Sequence, residues 1–259
     1  MNQKLIKPLF GGLKSRMPLI FLLYLCLWGF AQCSSDDSSL CDAGDAIALE
    51  SNTCLLIEHQ NLTDAQQNQV VQQITQAVVM VNNLMEVENL SIRVVDDPNL
   101  LITEIGIGGF NPSQSEVIIS IDENFANFDI SIDDELIPLV AHEIHHAKRR
   151  RTVGYGDSLV EAIITEGLAD HFSMQVVNIA PPMWSVALSE MELEQWIENA
   201  SSQWDDPYDH GQWFLGTSNE IPRWTGYSIG YKLVADYLNE NTDSSPSNLH
   251  DESASSFQP

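Results

Sequence analysis

The chain has 259 residues, 44% hydrophobic and 19% charged, enough to bury one ordinary core, with nothing to divide it into two domains. Its charge is lopsided, 37 acidic residues against 11 basic ones. A surface of that sign repels nucleic acid and anionic membranes, which excludes both as partners, and a solvated acidic exterior is the plain reading.

Residues 1–18 hold Lys4, Lys7, Lys14 and Arg16 and no acid, and an apolar run, LIFLLYLCLWGF, follows at 19–30. The run is shorter than the ~20 residues that span a bilayer and has the layout of a secretory signal. Residues 1–33 are therefore expected to direct export, giving a secreted protein or a cell-envelope lipoprotein. Without them 7 basic residues face 37 acidic ones, a net charge near −30. Two processing routes fit: cleavage after Ala31, or lipidation of Cys33 ahead of the acidic stretch SSDDSS. Gln32 does not suit the second. Residues 34–60 read as a tether with a short Cys-containing segment. Lipidating Cys33 would leave Cys41 and Cys54 as a disulfide pair in an oxidising compartment; the alternative is that both stay free.

The domain is expected over 61–240. Thr63 suits an N-cap, and Val70, Ile74, Ala77, Val78, Val81 and Leu84 recur at helical spacing after it. SIRVVDD (91–97) reads as a strand and LITEIGIGGFNPSQSEVIISID (101–122) as two strands around an Asn-Pro turn. Gly106, Gly108 and Gly109 would let another backbone approach, so this strand is either a cleft-lining edge open to a peptide substrate or a plain bulge.

From an N-cap at Asp133 a helix is expected to carry His142, Glu143 and His146 in the order HExxH. Positions i and i+4 share a helix face, so both imidazoles can reach one metal ion while Glu143 points into the same space. Leu136, Ile137, Leu139, Val140 and Ala141 are apolar at helical spacing, which makes this a core helix. Lys148, Arg149, Arg150 and Arg151 close it, either complementing the helix dipole or meeting a substrate carboxylate. A second helix, 157–172, offers Glu166 twenty positions after His146 as third ligand. Two His and one Glu leave a fourth position for water, the catalytic zinc arrangement. Asp170, one turn beyond Glu166, can accept the free N–H of a ligating His. His145 and His171, each adjacent to an assigned residue, face elsewhere.

HEIHH, EGLADHF and RWTGYSIGYKLVADYL (223–238) together resemble a bacterial family of predicted zinc-dependent proteases within the gluzincin group, over roughly residues 60–240. The metzincin pattern fails, because Arg149 and Thr152 stand where it needs Gly and His. The resemblance implies an α+β fold, with a small sheet on the N-terminal side against a mainly helical body. It also implies a downstream tyrosine that binds the oxyanion, for which Tyr227 and Tyr231 are candidates, Arg223 less so; buried core tyrosines would show the same spacing. An amphipathic helix is expected over 189–200, a Trp-rich loop with His210 over 201–224, and a disordered polar tail over 241–259.

The reading is a monomeric zinc peptidase acting on peptide or protein substrates. Its rivals are a non-catalytic zinc- or peptide-binding surface lipoprotein and a zinc hydrolase of a non-peptide amide or ester.

Overall fold

The five strands of the sheet lie in the order β1-β2-β3-β5-β4. The computed structural model describes Cys41 and residues 44–259; the signal segment and Cys33 lie outside them. Strands β1 (Ile47–Leu49) and β2 (Thr53–Ile57) form an antiparallel pair, and β2 runs parallel to β3 (Ser91–Val95), which runs parallel to β5 (Glu116–Ile121). β4 (Ile107–Ser113) is antiparallel to β5 and forms one edge. The fold is α+β, as expected. Part of the expected tether is instead sheet: Cys54 and Leu55, adjacent in a five-residue strand, are both fully buried, so β2 is covered on both faces and shows no alternation to read. Cys54 is disulfide-bonded to Cys41.

Helix α1 (Asp64–Asn82) starts at Thr63, whose side chain and that of Gln66 cap each other's backbone N–H groups. Its apolar stripe is buried through Val81, whereas Leu84 lies past the helix end and is exposed. The stripe meets the metal-motif helix α2 (Phe128–Arg150), and sheet, α1 and α2 share one apolar core that includes Ile74, Ile92, Ile119 and Leu136.

α2 begins at Phe128 rather than after Asp133, with Asn127 at the cap. Asp133 is spent otherwise, accepting from the Gln69 and Gln73 amides of α1. Pro138 lies inside α2. The Asn111-Pro112 pair does not turn the chain; both belong to β4, an edge strand with a register shift between Phe110 and Ser113, where a missing N–H costs little.

A second core forms around α3 (Leu159–Val177) and α5 (Thr225–Glu240). α3 is buried nearly all round, between α2 and α5. α4 (Glu190–Ser201) is an outer helix with only Ala200 buried. The loop before α5 holds a π-helical turn, Gly211–Leu215, whose Trp213 and Phe214 enter this core. The tail departs from expectation: Leu249, Ala254 and Phe257 are buried in the second core, and two short 3-10 turns shape 246–248 and 254–257. Three apolar residues spaced among Ser, Asp and Glu were too sparse to register as a pattern. Arg149 fastens the tail, donating to the carbonyls of His250 (3.2 Å) and Glu252 (2.9 Å). No helix among the described residues is long and apolar enough to cross a membrane.

Candidate metal centre

The middle of α2 and the middle of α3 face each other, and the motif residues meet there. His142 Nε2 lies 2.9 Å from His146 Nε2 and 3.0 Å from Glu166 Oε2, and His146 Nε2 lies 3.4 Å from the same oxygen. Ligand atoms ~2.0–2.2 Å from one tetrahedral centre stand about 3.3 Å apart, so this spacing fits a single ion. All three side chains are buried. Two imidazole nitrogens in contact beside a carboxylate is an arrangement that a cation at their centre resolves. The donor set, two nitrogens and one oxygen, is that of catalytic zinc.

The electrostatics agree. Burial alone would push the His142 pKa down, but its contacts with Asp170 and Glu166 outweigh that and hold it well above the ordinary imidazole value. Burial would raise Glu166, yet the two imidazoles keep it well below the carboxylate range. The His146 pKa is lowered instead, burial outweighing the pull of Glu166 on it. The Asp170 Oδ1 lies 2.9 Å from His142 Nδ1, a contact that orients the ring with its Nε2 toward the other two donors. Asp170 is itself pinned, accepting from Trp184 Nε1 (3.0 Å) and Ser185 Oγ (2.6 Å).

Glu143 is buried beside the triad in the same cleft as His142, His146, Glu166 and Tyr227. Its Oε2 has no hydrogen-bond partner among the described residues, and burial pushes its pKa up to about 8. Gly109 of β4 stands against it; a Cβ there would collide with the Glu143 carboxylate.

A family model described as predicted Zn-dependent protease (DUF2268) matches residues 65–258. The chain belongs to that predicted Zn-dependent protease family. No curated protein matches it.

In this member of the predicted Zn-dependent proteases the two candidate tyrosines part company. Tyr227 lines the cleft with His142 and Glu143, while Tyr231, a turn on, stacks on His171 at 4.4 Å. Arg223 is on the rim, its Nη1 2.6 Å from Glu104 Oε1. His145 is fully buried against Phe172, neither ring nitrogen having a hydrogen-bond partner among the described residues, and is not one of the three converging donors. His210, from the Trp-rich loop, lines the cleft and stacks on Phe214.

The basic cluster is mostly structural. Lys148 donates to Glu86 O, Arg151 to Gln114 O, and Arg150 Nε to Asn111 Oδ1 (2.6 Å), which joins α2 to β4 at the cleft wall. One participant escaped sequence reasoning. Tyr155, in a stretch that reads as a turn, donates its hydroxyl to Glu166 Oε1, leaving Oε2 to the imidazoles. No periodicity links a turn tyrosine to a carboxylate eleven residues later.

Proposed function

We propose that this protein is an exported zinc metallopeptidase of the gluzincin kind, its zinc held by His142, His146 and Glu166. The observation that carries the reading is one cleft in which three donors converge beside a buried carboxylate, Glu143, whose Oε2 has no hydrogen-bond partner among the described residues. Zinc at those donors supplies a Lewis acid for the scissile carbonyl and brings the pKa of a water toward about 7.

Glu143 takes the proton of the attacking water and hands it to the departing amine; burial places its pKa near 8, within range of a group that both accepts and donates at neutral pH. Tyr227 is kept protonated, because burial first and the Glu166 charge second push its pKa well up, so its hydroxyl can donate to the oxyanion. The peptide lies along β4, an edge strand whose Gly109 leaves room for the Glu143 carboxylate beside it. Tyr155 positions Glu166 and Asp170 positions His142. Export is supported by the Cys41–Cys54 disulfide, a bond of oxidising compartments.

The test is Glu143→Gln. The variant should retain zinc, since the residue is not a ligand, while kcat/KM on peptides falls about a hundredfold or more. A zinc-loaded variant that cleaves at the parent rate overturns the mechanism.

A further inference from the structure

His142 has a second neighbour besides the cleft. Beside the Leu139–His142 stretch of α2 opens a cavity of about 330 Å³, lined by α2 and by the segment 179–184 that follows α3. Leu139, His142 and Trp184 line both this cavity and the cleft beside Glu143. Most of its wall is apolar, with Pro138 and Leu139 facing Ile179 and Met183.

At one end stand Asp134 and Glu135. Asp134 is exposed and Glu135 is half-buried, and neither carboxylate has an ion-pair or hydrogen-bond partner among the described residues. No Lys or Arg lines the cavity. The backbone adds to the negative character: Pro138 has no N–H to give to the carbonyl of Asp134 one turn earlier, so that oxygen lacks its helical donor. Burial, with the Asp134 charge beside it, raises the Glu135 pKa, the sign of a carboxylate without a cation.

An apolar channel that ends in unpaired acceptors matches one kind of amino-acid side chain, a long methylene stem with a cationic head. We propose that this cavity is a specificity subsite that seats a Lys or Arg side chain of the substrate, with Glu135 as principal partner of the charge and Asp134 as its support. The stem runs along Leu139 and Met183, which places the substrate backbone at the mouth shared with the cleft. A free α-amine offers the same charge but no stem. The inference rests on the peptidase reading and names the substrate class for it.

The test compares blocked peptides, acetylated and amidated, that differ at a single position as Lys, Arg, Leu or Glu, using zinc-loaded protein. The parent should prefer Lys or Arg over Leu at one position by about tenfold or more in kcat/KM, and Glu135→Gln should cut that ratio by a similar factor. Asp243→Asn, which removes an acid outside the cavity, should keep the ratio and so controls for net charge. Binding of the same peptides to zinc-loaded Glu143→Gln, followed by fluorescence anisotropy, separates the two readings: Lys-selective binding with no cleavage by the parent sinks the peptidase but keeps the subsite. Cleavage without a basic preference, a preference that survives Glu135→Gln and Asp134→Asn together, or a preference that needs a free N-terminus overturns the subsite.

Discussion

Tyr227 and Tyr231 lie one turn apart on α5 and meet different surroundings, one the reaction cleft and the other the ring of His171. Removing a hydroxyl tests which of them acts. Tyr227→Phe should lose about a hundredfold in kcat with little change in KM, whereas Tyr231→Phe should leave both nearly unchanged; the reverse pattern would move the oxyanion donor. Glu166→Ala addresses the metal. Losing a ligand should weaken zinc retention by more than the roughly 10 to 100-fold expected for an outer partner such as Asp170, and metal analysis after dialysis that finds undiminished zinc would remove Glu166 from the set. The positions of His142, Glu143, His146, Glu166 and Asp170 could be read from spacing because all five project from helices, where sequence separation fixes direction. Tyr155, Trp184 and Ser185 sit in turns, and their contacts exist only once α3 has docked.

Between elements, α3 and α5 come close at Gly167 and Gly230, where a Cβ on Gly230 would run into the backbone carbonyl of Ile163. Gly230→Ala gains up to about 1 kcal/mol of helix propensity, but the overlap is with backbone that cannot swing aside, and overpacking costs about 1–3 kcal/mol. The clash should win, lowering Tm by roughly 2–4 °C for each kcal/mol of net loss. A variant as stable as the parent in thermal melts would mean that the helices are not held this closely in solution. Helices with a capping residue and a long apolar stripe, such as α1, were legible in the chain. The start of α2 was not, since Asp133 has the right chemistry for a cap and is used in another bond. β2, with five residues, shows too little alternation to be seen before its neighbours are known.

At the level of the whole molecule, the segment after α5 is part of the fold. Deleting 245–259 should remove the burial of Leu249 and Phe257, each about 1.5–3 kcal/mol, and strip Arg149 of two acceptors in a site where burial already pushes its pKa down to about 10. The urea midpoint should fall markedly; an unchanged midpoint would show that these residues contribute nothing. The clamp at Arg149 also has a consequence in time. Arg149 and its acceptor His250 are 101 residues apart, and Arg149 stands in the last turn of the very helix that carries His142 and His146. Chains are synthesised from the N-terminus, so the metal helix emerges long before the residues that fasten its end and before α5 brings Tyr227. A nascent chain holds His142 and His146 without the frame that orders them. The donor cluster is braced in full only when the last residues of the chain have folded back onto α2.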